Sequence, residues 1–212
     1  MTSLEKIRSA LSAHVPDTEP ASVHSDAAVA MILREAGGTP ELLFIERAHR
    51  EGDPWSGHMA FPGGRLDPGD DRAQSAAERE TLEEVGVDLA GAEVLGRLDD
   101  LRGRNAIAPN RGMVISAFVY HVADPAPLQL NWEVEDAFWF PVAALLDTDR
   151  HVEHAVAHYG QTTYPGILVG EPERHVVWGL TYRFLEVFFE VVGQPLPDRW
   201  DVLRGRLARP ST

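Results

Sequence analysis

Gly63-Gly64-Arg65-Leu66-Asp67-Pro68-Gly69-Asp70-Asp71 runs, through residues 72–78, into Arg79-Glu80-Thr81-Leu82-Glu83-Glu84-Val85-Gly86-Val87. The order of residue types predicts a glycine loop, a turn, a helix and a glycine stop. Asp71 with Gln74 three residues on reads as a variant capping box, and a carboxylate suits the positive end of a helix dipole. Gly86 is placed to end the helix in a left-handed conformation. On a wheel of about 100° per residue, Glu80, Glu83 and Glu84 fall within an arc of roughly 100°. Leu82, Val85 and Leu89 lie on the opposite face and are expected to bury. Upstream, the carboxylate face carries only Ala73, Ala76 and Ala77, small enough for another backbone to approach closely.

Three like charges on one helix face repel one another, and no lysine is interspersed to relieve them. Arg79, four residues before Glu83, is placed to hold that side chain by a bidentate pair. Clustered oxygen donors on a rigid element suit a hard cation, Mg2+ or Mn2+, which completes its shell with water and phosphate oxygens.

The stretch resembles the Nudix box, G-x5-E-x7-R-E-U-x-E-E-x-G-U, where U is a bulky apolar residue. Arg79-Glu80, Glu83-Glu84 and Gly86-Val87 match its second half, and Phe61-Pro62-Gly63-Gly64 precedes it. Thr81 stands where a bulky apolar residue is usual. The first acidic position is an aspartate, Asp70 or Asp71, and the loop is one residue longer. The resemblance implies a divalent-metal-dependent diphosphohydrolase with a Nudix α/β/α sandwich, over roughly residues 26 to 192. It implies that Glu80 and Glu84 grip the ion, that the Gly64 carbonyl completes the shell, and that Glu83, oriented by Arg79, is a further ligand or the base. Asp70 or Asp71 would add a ligand through water.

Composition bounds the alternatives. The 212 residues carry 25% charged and 44% hydrophobic side chains and a net charge of −14, ordinary for a folded chain but adverse to nucleic-acid backbone. An anionic substrate would then need a metal and local arginines. The chain has no cysteine, which excludes disulfides, thiolate metal sites and cysteine nucleophiles. No apolar run approaches the ~20 residues of a membrane span. The N-terminal residues lack the apolar core of a secretory signal, so the cytoplasm is the default expectation.

Elsewhere the pattern gives an N-terminal helix at residues 3–13 and a proline-containing linker to residue 25. Strands follow at Ala27 to Leu33, Glu41 to Ala48, His58 to Phe61, Gly91 to Leu101, Met113 to Val122 and Leu128 to Phe140. Two further strands fall around residues 151–169, and a closing helix begins at His175. Residues 198–207 are expected to form a short amphipathic helix, followed by a tail. The whole is an α/β chain with a mixed sheet between helices, expected to divide into segments 1–25, 26–192 and 193–212. The N-terminal helix is expected to pack on the body or on a second subunit, and a homodimer is a further expectation. Arg47 at a strand end, and Arg102, Arg104 and Arg111 around one loop, are candidates to hold a diphosphate.

A coenzyme A-active Nudix subgroup carries L-R-x-H-x-G-Q-x-x-F-P-G-G ahead of the box. This chain keeps Gly57 and Phe61 to Gly64 but has Asp53 in place of the arginine and Trp55 in place of the histidine; Trp55 could instead stack on a base. Trp178-Gly179-x-Thr181 is similar to the start of that subgroup's closing helix. Glu133-Val134 before Phe138-Trp139-Phe140-Pro141 looks like a family segment whose glutamate joins the metal shell or serves as base. The expected substrate is therefore a nucleoside diphosphate derivative, coenzyme A first, nucleotide sugars or ADP-ribose next. A binding module without catalysis is a further alternative.

Overall fold

A two-glycine turn folds the first long strand back on its neighbour. β1 (Ala27–Ala36) and β2 (Thr39–Arg47) pair antiparallel only near that turn, from Leu33 opposite Leu42 to Ala36 opposite Thr39. Beyond it they part, and the following segment fills the gap. β3 (Met59–Ala60) pairs with Ile45 and Glu46 of β2, and β4 (Gly63–Arg65) pairs with Ala27 to Val29 of β1. Between them the Ala30 amide donates to the Pro62 carbonyl. This insertion carries the glycine loop into the sheet. Gly63 sits at φ 150°, where a side-chain carbon would lie 2.3 Å from the Ala28 carbonyl oxygen, so only glycine fits.

The computed structural model describes residues 2–19, 26–53, 55–103, 112–155 and 163–197. Within them β7 (Met113–His121) runs parallel to β1, and β5 (Glu93–Arg97) and β6 (Leu101–Gly103) flank it antiparallel. β8 (Val134–Pro141) pairs with β2, completing a mixed sheet of eight strands. Alternation along β1 decides the layers. Ala28, Ala30 and Ile32 pack on one face with Ala76, Ala77 and Val85 of α2 (Ala73–Val85). Met31 and Leu33 pack on the other with α1 (Leu4–Ala13) and α3 (Gly179–Val191). A separate sheet of β9 (His151–Ala155), β10 (Thr163–Leu168) and β11 (Val176–Trp178) leads into α3. The architecture is the expected α/β/α sandwich.

The N-terminal helix docks on this body: Leu4, Ile7 and Leu11 are buried, and Ser3 caps it by accepting from the Lys6 amide. Three local expectations need correction. Asp71 does not cap α2; the N-cap is Arg72, with no side-chain cap bond. Gln74 instead donates to Glu78. Leu82 is not buried but 51% exposed, whereas Thr81 and Glu84 are buried. The inner face of the helix is therefore centred on Ala77, Thr81 and Glu84. His175 to Trp178 does not begin a helix: Val176 to Trp178 are β11, and α3 starts at Gly179. The β-branched pair Val176-Val177 favours extended backbone. The predicted stop at Gly86 is present, left-handed at φ 72°, with its amide on the Leu82 carbonyl. The short helix read at residues 198–207 lies outside the described residues.

Candidate active site

Helix α2 lies with its small residues against the sheet, so its backbone comes close to the glycine loop. Glu84, only 1% exposed, accepts a 2.9 Å hydrogen bond from the Gly63 amide. Glu80, one turn earlier, packs on Gly64. A side-chain carbon added at Gly64 would lie 2.4 Å from the Glu80 carboxyl carbon, so the missing side chain is the space that the carboxylate occupies.

Arg79 ties loop and helix together. Its Nη2 donates to Asp70 Oδ2 at 2.9 Å and to the Arg65 carbonyl at 3.1 Å, and its Nη1 donates to Glu80 Oε1 at 2.8 Å. Its contact with Glu83 is looser, 3.6 Å, and Glu83 is more than half exposed. The guanidinium holds the Asp70 carboxyl below the usual carboxylate range, while Asp71 is exposed. Asp70, not Asp71, is thus the aspartate engaged with the helix. Its role is to anchor Arg79, which in turn orients Glu80.

A third carboxylate arrives from another element. The segment before β8 satisfies the end of α2: the Gln129 amide donates to the Val85 carbonyl and the Asn131 amide to the Glu84 carbonyl. This docking brings Glu133 to the site. Oxygens of Glu80, Glu84 and Glu133 all lie within 4.8 Å of one another. Glu133 also accepts a 2.7 Å bond from Arg50, whose guanidinium stacks 3.7 Å over the Trp132 ring.

Crowding shows in the electrostatics. Burial pushes the Glu84 carboxyl up to about 8; the Gly63 amide and Arg47 offset this in part, and Glu80 and Glu133 add to it. Burial also raises Glu80, against the Arg79 hydrogen bond. Three carboxylates around one gap, two of them resisting ionisation, constitute a site short of positive charge. An all-oxygen donor set with that deficit fits Mg2+ or Mn2+.

The trio opens into a cavity of about 760 Å3. Arg47 lines it. Its Nη2 donates to Asp53 at 3.1 Å, and its Nε is buried without a hydrogen-bond partner. Trp55 lines the same cavity, as does Arg102, whose guanidinium is paired with Glu19 by two 2.6 Å bonds. Arg104 and Arg111 lie outside the described residues. Trp178, which the sequence offers only as part of a helix start, and His58, which it does not single out, also line the cavity. The signal available was the apolar run His175 to Trp178 ending at a glycine, a strand end rather than a helix start.

A second group, Glu46, Asp136 and His175, also brings ligand-type atoms within 4.8 Å. It does not suit a metal. The His175 Nδ1 accepts from the Glu171 amide at 3.0 Å, so the proton of the neutral ring sits on Nε2 and leaves no lone pair there. Glu46 is already engaged by Arg174, with Nη2 at 2.7 Å.

Among the described residues no helix is long and apolar enough to cross a membrane. The model of the NUDIX domain matches residues 24–159. The chain is 33% identical to the human mitochondrial coenzyme A diphosphatase NUDT8 over 172 residues, 79% of this chain and 70% of that protein. It is 41% identical over 114 residues to an uncharacterised protein of Schizosaccharomyces pombe, covering 50% of this chain and 33% of the relative's length. Among solved structures, a MutT/nudix family protein from Enterococcus faecalis aligns with a TM-score of 0.52 at 19% identity, over 91% of this chain and 70% of that one; at that identity the likeness is one of fold.

Proposed function

The chain belongs to the Nudix hydrolase family, and on that footing we propose that it hydrolyses the diphosphate linkage of a nucleoside diphosphate derivative with Mg2+ or Mn2+, coenzyme A being the first candidate. The observation that carries the reading is the convergence of Glu80, Glu84 and Glu133 within 4.8 Å beside the glycine loop, open to a cavity. Glu80 and Glu84 would hold the cation, with the Gly64 carbonyl and substrate oxygens as further ligands. A divalent ion bound there polarises a phosphoryl oxygen and lowers the pKa of a coordinated water. Arg79 would position Glu80, to which it donates at 2.8 Å from outside the cavity lining. Glu133 takes the proton from the attacking water; Glu83, at the exposed rim, is the alternative base or an added ligand. Arg47 and Trp55 would bind the substrate from the cavity wall. Arg102, Arg104 and Arg111 would meet its outer phosphates, Arg102 after exchanging Glu19 for them.

Coenzyme A is supported by the relation to the human enzyme, by Phe61 to Gly64 and by the start of α3. One observation favours a second reading. Asp53 stands where the coenzyme A motif has an arginine, and its carboxylate pairs with Arg47. The cavity therefore has less positive charge than that motif would supply, which suits a substrate with fewer phosphates, such as ADP-ribose or a nucleotide sugar. Incubation with coenzyme A, ADP-ribose, nucleotide sugars and dinucleoside polyphosphates, with Mg2+ or Mn2+ and product identification, tests both. Cleavage of none of them would overturn the hydrolase reading and leave a binding module. Light scattering would test the homodimer. Fractionation of the source cells would test a cytoplasmic location.

A further inference from the structure

The cavity is larger than a diphosphate and a metal require, and the part away from the carboxylates is built differently. Trp178 ends β11 and lines the cavity with His58, Tyr164 and Trp55. Among the described residues, three rings lie against its indole: His58 at 4.7 Å, His154 at 5.4 Å and Tyr164 at 5.5 Å between centroids. His58 meets it edge-on at 70°, and His154 and Tyr164 are tilted at 40° and 43°, so they brace the indole rather than forming a parallel stack with it. Burial lowers the proton affinity of His154.

The indole is also fixed through the backbone. Trp178 pairs with Gly166 of β10. The turn that leads into β11 is held to β2 by Arg174, whose Nε and Nη2 both donate to the buried Glu46. Glu46 immediately precedes Arg47, at an irregularity in the β2–β8 pairing. One attachment point thus links the aromatic wall to Arg47 on the cavity lining. A rigid aromatic platform at a fixed offset from a diphosphate site is what a planar heterocycle on a diphosphate tether requires.

We propose that Trp178, braced by His58 and Tyr164, is the platform on which the heterocyclic base of the substrate stacks, and that it outweighs Trp55 in that role. The inference rests on the reading above that the cavity receives a nucleoside diphosphate derivative, but its test does not depend on turnover. Binding of ADP to the full-length protein is measured by titration calorimetry with Mg2+ present. Base stacking on one aromatic ring is worth on the order of tenfold or more in affinity. Trp178→Ala is expected to weaken ADP by at least that factor, Trp178→Phe by less than threefold, and Trp55→Ala by less than Trp178→Ala. Pyrophosphate, which has no base, should bind wild type and Trp178→Ala alike. Should Trp178→Ala fail to fold by circular dichroism, Tyr164→Ala and Trp178→Phe carry the test, with weakening by Tyr164→Ala expected for ADP and not for pyrophosphate. Equal ADP affinity in wild type and folded Trp178→Ala, or a larger loss in Trp55→Ala, would overturn the proposal. If no substrate is cleaved but ADP binds in a Trp178-dependent way, the platform stands and only the hydrolase reading falls.

Discussion

Gly63 and Glu84 are joined by a 2.9 Å hydrogen bond in which the loop amide donates to the buried helix carboxylate. The bond engages Oε2 and fixes the side chain's rotamer. The buried negative charge is then matched only in part, and a cation would complete it. Glutamine at this position keeps an acceptor for the Gly63 amide but cannot carry the charge. Glu84→Gln is expected to fold as wild type by circular dichroism and to lower kcat by roughly two to three orders of magnitude. Full activity in this variant, measured on the best substrate of the panel, would count heavily against the assignment.

The two loop glycines are there for different reasons, and alanine separates them. At Gly63 an added carbon meets the Ala28 backbone oxygen at 2.3 Å with φ at 150°. Gly63→Ala should cost roughly 2 kcal/mol or more of stability. At Gly64 the obstacle is the Glu80 carboxyl, a side chain that can move aside. Gly64→Ala should keep nearly full stability and bind Mn2+ about tenfold or more weakly. Urea denaturation and Mn2+ titration by electron paramagnetic resonance check the pair. Equal behaviour of the two variants would contradict the geometry.

Without metal, Glu84 has a folded pKa of about 8 against 4.5 when unfolded. A carboxyl raised on folding binds its proton more tightly in the native state. Its contribution to stability is complete below about 4.5 and is lost as pH rises through about 8. The melting temperature of protein in EDTA is therefore expected to fall between pH 5 and 8, beyond what other groups impose in Glu84→Gln. Mg2+ should raise it increasingly over the same range, because the ion replaces the proton. Thermal scans of wild type and Glu84→Gln, with EDTA or Mg2+, decide it. Parallel curves for the two proteins would refute the linkage.

Spacing puts Leu82 and Val85 on one apolar face, yet only Val85 of the two is buried, at 0% against 51%. Leu82→Lys should change stability by no more than about 0.5 kcal/mol, as at other exposed sites. Val85→Ala removes two packed methyl groups and should cost about 1–3 kcal/mol. Chemical denaturation of both variants measures the difference.

That contrast marks how far the sequence could be read. Spacing alone places Glu80 and Glu84 together, and apolar runs give β1 and β7, with β2 as the hairpin partner of β1. The wheel failed at Leu82 because it assumes that charges face water. Here the small residues Ala76 and Ala77 let α2 settle with two glutamates inward, and the apolar leucine was left outside. Asp71 looked like a cap because one-dimensional spacing cannot show that Arg79 reaches back to Asp70. Glu133 could be suggested only by resemblance, since its approach depends on the Gln129 and Asn131 amides meeting the end of a helix far away in sequence. Trp178 reads as a helix start and not as a site residue, because its place at the cavity rests on neighbours distant in sequence, His58, His154 and Tyr164 among the described residues, and on Arg174 reaching Glu46.

Glu133 and Glu83 are the two candidates for accepting the proton of the attacking water, and they stand in different surroundings. Glu133 has an oxygen within 4.8 Å of Glu80 and Glu84 and is held by Arg50. Glu83 is 55% exposed and touches only the edge of the Arg79 network. A base must reach the water beside the cation, so proximity favours Glu133. Glu133→Gln is expected to lower kcat by about 10²–10⁴, the range for general-base removal, with Mn2+ affinity changed only a few-fold. Glu83→Gln should lose less than about tenfold. Arg50→Ala, which frees Glu133 from its partner and from the Trp132 stack, should lie between them. Kinetics at saturating Mn2+ distinguish the roles: activity of Glu133→Gln restored by more metal would make Glu133 a ligand. A deeper loss in Glu83→Gln would transfer the proton-accepting role to the rim of the helix.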